Sequence, residues 1–304
     1  MGNAIIFPGQ GTQFARMGQP WRASSHWDVV ARAEAALDRP LAHLLLDAPE
    51  ETLRRTLEAQ LAVFLHSLMA WEAVRHDVGE PVAFAGHSLG QLTAIVAAGA
   101  LSLEEGVRLA VERATATQAA ADRHPGRLVA LMGGDLDVAR DACAAAPDAA
   151  WVANDNAPGQ VVLGGTPEGV DAAADRARQL GVRRVVPLNV GGAFHTPLMA
   201  DARAALEPVL AAASFASPSA PVVSNVDAEP HTDPGDWPAQ LGDHLVSPVR
   251  WRPSMLTLAR LGATSYVEVG PGNVLAGLAR RTVPDVPVRS VSAPGDVAPV
   301  EAAS

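Results

Sequence analysis

Ser88 and His195 are the two residues whose types and settings could form a reacting pair. Ser88 lies in Gly86-His87-Ser88-Leu89-Gly90, which fits G-x-S-x-G, the nucleophile elbow. The run Pro81 to Ala85 predicts a buried strand before it, and the Ala/Val/Ile-rich run Gln91 to Ala100 predicts a helix after it. In that setting the glycines allow a turn too tight for side chains, and the serine projects beside a helix N-terminus. The first free N–H groups and the dipole there favour negative charge on a substrate oxygen. A serine hydroxyl is a weak nucleophile until a base takes its proton. Of the nine histidines, His195 is the best candidate, in Gly191-Gly192-Ala193-Phe194-His195-Thr196-Pro197, where a loop ends at a helix start. The bland alternatives are an ordinary loop serine and a surface histidine near a helix cap. His87 adjoins Ser88, where neighbouring side chains diverge, and is expected to be structural.

The elements around this pair alternate. Ala4 to Phe7 reads as a short buried strand ending at Pro8-Gly9-Gln10-Gly11. Helical spacing occupies Trp27 to Leu37, Pro49 to Gln60 and Ala62 to Val74. From Leu128 the order becomes strand 128–132, helix 136–145, strand 151–154, strand 160–164, helix 167–180, strand 183–190. This βαββαβ order predicts a ferredoxin-like subdomain over about residues 127–190. A helix over 196–213, a strand over 222–226, a long helical stretch over 237–261, a strand over 265–268 and a last helix after Gly270-Pro271-Gly272 follow. The expected fold class is α/β. A large α/β-hydrolase-like domain with a mostly parallel sheet, residues 1–126 and 191–304, is interrupted by the small subdomain. The Pro/Ala/Ser-rich tail after about Ser290 is expected to be poorly ordered.

Composition narrows the function. A net charge of −10 argues against nucleic acid as a partner. No apolar stretch reaches the ~20 residues of a membrane span, and no secretory leader is visible, so a cytoplasmic location is expected. Cys143 is the only cysteine, which excludes an internal disulfide and a thiolate metal cluster. All 23 basic residues are arginine, so every cationic contact must be made by a guanidinium.

The chain resembles the malonyl-CoA:acyl carrier protein transacylases and the related acyltransferase domains of polyketide synthases. The resemblance rests on six segments in order: Phe7-Pro8-Gly9-Gln10-Gly11-Thr12-Gln13, the Ser88 elbow, Asn156-Ala157-Pro158-Gly159-Gln160, Ala193-Phe194-His195-Thr196-Pro197-Leu198-Met199, Ser224-Asn225-Val226, and Glu268-Val269-Gly270-Pro271-Gly272. It implies a Ser88–His195 dyad whose histidine is oriented by a backbone carbonyl, and an oxyanion held by the N–H groups of Gln10 and Leu89. It implies ping-pong transfer of a malonyl or related acyl group from CoA to the phosphopantetheine thiol of an acyl carrier protein. By the same resemblance Arg113 grips the free carboxylate, and Phe194 leaves little room for an α-methyl branch. Gln60, Gln118 and Asn156 complete the substrate-binding set. No metal or resident cofactor is expected, since phosphopantetheine arrives with the substrates, and a monomer is expected. Carrier proteins present acidic helices, so Arg176, Arg183, Arg184, Arg280 and Arg281 are docking candidates, each of which also reads as a solvated charge.

Three departures lie near the expected acyl pocket: Gln91 for glutamate, Leu61 for proline and Thr117 for methionine. They leave open a pathway-specific polyketide acyltransferase that uses a non-malonyl group or a carrier-protein donor. An acyl hydrolase acting on acyl carrier proteins would use the same dyad but should lack Arg113. A lipase-type esterase would need an HGGG loop, which is absent, and a silent docking module would not need Ser88 and His195.

Overall fold

The computed structural model describes residues 2–297. The elements run β1 (Asn3–Phe7), α1 (Asp28–Leu37), α2 (Ala42–Leu46), α3 (Glu50–Leu53), α4 (Thr56–Val74), β2 (Ala83–Gly86), α5 (Leu89–Ala97) and α6 (Leu103–Arg123). Next come β3 (Arg127–Met132), α7 (Leu136–Cys143), β4 (Ala150–Ala157), β5 (Gln160–Gly165), α8 (Pro167–Gln179) and β6 (Arg184–Pro187). The chain continues through α9 (Ala200–Ala212), β7 (Val222–Val223), β8 (Pro230–His231), α10 (Trp237–His244), α11 (Trp251–Arg260), β9 (Ser265–Val269), α12 (Val274–Thr282) and β10 (Val288–Val291).

Six strands form one sheet in the order β10-β9-β1-β2-β7-β8, parallel except for the β7–β8 pair. Its central strands β1 and β2 are buried throughout and apolar except for Asn3, as suits strands covered on both faces. Four further strands form an antiparallel sheet in the order β4-β5-β3-β6, packed with α7 and α8. In an open parallel sheet the loops at the carboxyl ends of the strands gather along one edge, where ligands bind. Gln10 after β1, Ser88 after β2, Asn225 after β7 and Gly270 after β9 lie on such loops.

Several sequence expectations are corrected. The helices expected over 49–60 and 62–74 are a short α3 and one continuous α4, running through Gln60 and Leu61. Because α4 is buried nearly all round, its apolar spacing carries no clear 3.6-residue stripe to mark its start. The stretch expected as one helix over 237–261 is α10 and α11, parted by the Ser247-Pro248 segment, where proline disfavours helix in the residue before it. Thr196 is not helical: a 3-10 turn, Pro197–Met199, leads into α9. The tail departs from expectation as far as Val297. β10 pairs with β9, Val291 is fully buried, and Trp21 donates its indole N–H to the Ser292 carbonyl. Residues 298–304 lie outside the described residues.

Candidate active site

The elbow is as tight as the glycines require. A Cβ on Gly86 would lie 1.8 Å from the Gly90 carbonyl oxygen, and one on Gly90 would lie 2.1 Å from that of Phe7. Ser88 sits at the apex with φ 54° and ψ −114°, a sparsely populated conformation for a residue with a side chain, which its surroundings must impose. Asn225 supplies much of that constraint. Its Oδ1 accepts the Ser88 N–H at 2.9 Å and its Nδ2 donates to the Gly86 carbonyl at 2.9 Å, so one side chain staples both arms of the turn. Gln91 lies beneath, fully buried, its Oε1 accepting the Asn225 N–H at 2.6 Å. Its carbonyl is thus committed to holding Asn225, while its buried Nε2 has no hydrogen-bond partner among the described residues.

Ser88 Oγ and His195 Nε2 are 2.7 Å apart, and His195 Nδ1 is 2.9 Å from the His244 carbonyl oxygen. A carbonyl only accepts, so Nδ1 carries the ring proton and Nε2 presents its lone pair to the Ser88 hydroxyl. His195 has φ 63°, is buried, and has its pKa lowered to about 3 by desolvation and then by the Arg113 charge. At neutral pH it is a free base. Among the described residues no carboxylate hydrogen-bonds to its ring.

Arg113, on α6, enters the same space. Its guanidinium donates to Gln60 Oε1 at 2.8 Å and to Ser88 Oγ at 3.3 Å, while Gln60 Nε2 donates to Gln10 Oε1 at 3.2 Å. Arg113 is 7% exposed, and among the described residues no carboxylate pairs with it. Burial lowers its pKa to about 10, still charged at neutral pH. Of the elbow amides, Ser88 N–H goes to Asn225, Gly90 N–H to the His87 carbonyl and Gln91 N–H to the Ser88 carbonyl. Leu89 N–H, at the first position of α5, has no intrahelical acceptor to meet.

Other expected residues lie differently. Asn156 Oδ1 accepts from His87 Nε2 at 2.8 Å, so its carbonyl holds the residue before the serine. Burial lowers the His87 pKa, against the effect of that bond. Gln118 Oε1 accepts from Thr56 Oγ1 at 2.7 Å and its Nε2 donates to Asp122, one helical turn beyond Arg113. Phe194 packs against both the main core and the cluster of Leu128, Ala130, Ala153 and Val162 on the small sheet. Thr117 is buried with its hydroxyl turned back onto the Arg113 carbonyl, so it offers no polar group to a ligand. A cleft of about 600 Å³ lined by Arg55, Thr56, Ala114, Gln118 and Gly191 shares the lining residue Arg54 with one of about 340 Å³ lined by Gln10, Phe14, Leu53 and Asn189. Gln10 thus ties a cleft wall to the Gln60–Arg113 network. The five docking candidates are exposed, and Arg281 reaches Gln160 on β5.

Sequence reasoning missed two contributors. Asn225 stood in the quoted Ser224-Asn225-Val226 segment, but without a partner in view nothing marked it as the staple. His244 carried no signal, because it acts first through its backbone carbonyl. The Glu268 segment proves to be a helix cap: both carboxylate oxygens accept N–H groups of α12, from Leu275 at 3.0 Å and Ala276 at 2.8 Å.

Known proteins resemble the chain over nearly its whole length. The malonyl CoA-acyl carrier protein transacylase of Bacillus subtilis (strain 168) is 35% identical over 283 residues, 91% of this chain and 89% of the relative. An acyl-carrier-protein S-malonyltransferase from Burkholderia pseudomallei 1710b superposes with a TM-score of 0.94 at 33% identity, covering 98% of each chain. A malonyl-transacylase solved in complex with its type II PKS acyl-carrier protein gives a TM-score of 0.93 at 31% identity, again over 98% of each chain. The sequence model for the acyl transferase domain matches residues 4–299, and the chain belongs to that family.

Proposed function

We propose that this protein moves a malonyl group from CoA, through an ester on Ser88, to the phosphopantetheine thiol of an acyl carrier protein. The observation that carries the choice of acyl group is Arg113, a buried guanidinium with no carboxylate partner among the described residues, 3.3 Å from the nucleophile. A planar fork with a permanent charge fits the free carboxylate of a malonyl group. The relatives named for malonyl transfer support the same reading.

In the first half-reaction Ser88 Oγ attacks the thioester carbonyl carbon while its proton passes to His195 Nε2, 2.7 Å away. The oxyanion forms against the N–H groups of Leu89 and Gln10. The C–S bond breaks, the CoA thiolate takes the proton from His195, and malonyl remains as an ester. In the second half the carrier thiol gives its proton to His195 and attacks the ester carbonyl. The C–O bond breaks, and Ser88 recovers its proton. Every atom is accounted for by the two thiols, Ser88 and His195, so no resident cofactor is needed, and both substrates belong to the cytoplasm. Carrier docking is assigned to the end of the small unit, residues 127–190. There Arg184 lies opposite Met132, Met132 lies opposite Gln160, and Gln160 bonds Arg281.

Intact-mass measurement after brief exposure to malonyl-CoA tests the reading. The protein should gain one malonyl group, the Ser88→Ala variant should gain none, and holo carrier protein should discharge the adduct to itself. An equal gain in the variant, or discharge to water alone, would overturn it.

A further inference from the structure

His244 contributes more than its carbonyl. Its imidazole, 1% exposed at the C-terminal end of α10, stacks on the His195 ring with centroids 4.8 Å apart and planes 29° apart. Its Nε2 is buried and has no hydrogen-bond partner among the described residues. A polar atom left unpaired in the interior is destabilising, so that nitrogen does not explain the ring's place. Its aromatic face, laid over the catalytic base, does.

We infer that the His244 side chain is a positioning residue for acyl transfer, a non-reacting imidazole that fixes the plane of the His195 ring and backs it with a π face when His195 takes the Ser88 proton. The inference rests on the Ser88–His195 dyad but not on the identity of the acyl group. Two restraints act on His195 from α10. The carbonyl fixes one in-plane direction through Nδ1, and the stacked ring resists tilt about that bond, so Nε2 stays aimed at Ser88 Oγ. Offset aromatic stacking at this separation is attractive, and a cation over a neutral ring is more so.

The arrangement requires that His244 never compete for the proton. The titratable groups whose charge bears on it are His195, Arg113 on α6 and His87 at the elbow, all basic. Burial and then these neighbours hold its pKa well below the ordinary histidine value. His244 Nε2 has no acceptor among the described residues to receive a second ring proton, whereas His195 Nε2 faces the Ser88 hydroxyl, so the proton from Ser88 goes to His195. Removing the ring would also open a void beside His195 and let water in, which would weaken the desolvation that holds His195 far below 6.5.

Three variants of the full chain separate these roles: His244→Phe, which keeps an aromatic face; His244→Gln, which keeps a polar side chain without one; and His244→Ala. All three retain the backbone carbonyl. The rate of Ser88 labelling by phenylmethanesulfonyl fluoride, which needs the dyad but no acyl pocket, is measured against pH beside acylation by malonyl-CoA and the melting temperature. His244→Phe should label within about threefold of the parent. His244→Gln and His244→Ala should label at least tenfold more slowly, a part of the ~10²–10⁴ that a general base supplies. Their acid limb should move up toward 6.5 and KM for malonyl-CoA should hold. If His244→Ala does not fold, the contrast between the other two decides. Equal rates and equal acid limbs for His244→Phe and His244→Gln would overturn the inference, whichever acyl donor the enzyme uses. Loss of malonyl acylation with normal sulfonylation in the parent would instead count against the malonyl reading alone.

Discussion

Replacing Arg113 with alanine tests the malonyl reading most directly. Among the described residues the guanidinium is held only by neutral groups, the Gln60 side-chain carbonyl and the Ser88 hydroxyl. Its removal therefore strands no protein charge, and the cost falls on the malonyl complex, where a carboxylate would be left in a partly dry site without its partner. Truncating one member of a buried, hydrogen-bonded charge pair costs upward of about 2 kcal/mol, and about 2–4 kcal/mol suits a site bordered by open clefts. At about 1.4 kcal/mol per decade, self-acylation by malonyl-CoA should fall roughly 30- to 1,000-fold. Acetyl-CoA has no carboxylate and should lose nothing. It should gain if the parent site disfavours neutral acyl groups by leaving a desolvated guanidinium unpaired. Arg113→Met, which keeps much of the aliphatic stem, separates charge from packing and should behave like alanine. The assay is the rate of acyl-enzyme formation for both donors with all three proteins. Equal loss for the two donors would refute the carboxylate clamp and leave Arg113 as a positioning group for Ser88 Oγ. A parent that prefers an uncharged or larger acyl group would refute the malonyl assignment itself.

Three other outcomes are expected. Asn225→Ala leaves the Ser88 N–H and the Gly86 carbonyl without their side-chain partner. At about 1–3 kcal/mol for each buried group left unsatisfied, it should lower the melting temperature by several degrees and slow acylation, and an unchanged melt would show that the strained turn holds itself. Charge reversal at Arg183, Arg184, Arg280 and Arg281 should raise the apparent KM for the carrier protein and flatten its salt dependence with Ser88 acylation untouched, whereas unaltered transfer would place docking elsewhere. The His231 ring lies between Asp236 at 2.7 Å and Asp227 at 3.0 Å; burial opposes its protonation, but bonds to the two carboxylates outweigh it and raise the pKa above 6.5. A raised folded-state pKa contributes stability that is complete below 6.5 and fades as pH climbs through the folded value. The melting-temperature difference between the parent and His231→Gln should therefore be largest near about pH 6 and shrink toward about pH 8, and a gap that widened with pH would contradict the pairing.

The sequence-derived expectations succeeded where a local pattern had one physical cause and failed where the cause was distant. The elbow was legible because a strand, a glycine-bounded turn and a helix in succession constrain one another, and Gly86 and Gly90 turn out to have no room for a Cβ. The order of elements from β3 to β6 was legible because short strand-like runs are interleaved with helical ones and glycine-containing turns bound the unit on both sides. By contrast α4 is buried on nearly every side, so periodicity could not mark its boundary. α6 was not drawn as an element in its own right, although Ser102 accepts the Glu105 N–H in a capping arrangement that announces a helix start. β10 was hidden by a composition typical of a loose tail, and it is ordered because β9 offers it a parallel edge. Asn225 and His244 lie 137 and 49 residues from the groups they hold, and nothing local records such distances.

The electrostatics of the site follow from what it lacks. His195, His244 and His87 are all held neutral chiefly by burial, and the charge among them belongs to Arg113. A catalytic base kept far below its ordinary pKa beside a fixed positive charge is a reluctant proton acceptor, so a site of this kind is poorly tuned while empty. A carboxylate brought to Arg113 changes that balance, because its negative charge offsets the guanidinium that depresses His195 and makes proton uptake from Ser88 more favourable. A malonyl donor would then be favoured twice, once in binding and once in the proton transfer that follows. A neutral acyl group would meet both the unpaired guanidinium and the weaker base. On this account selectivity should show in the acylation rate constant as well as in KM, and a preference confined to KM would mean that Arg113 acts on binding alone.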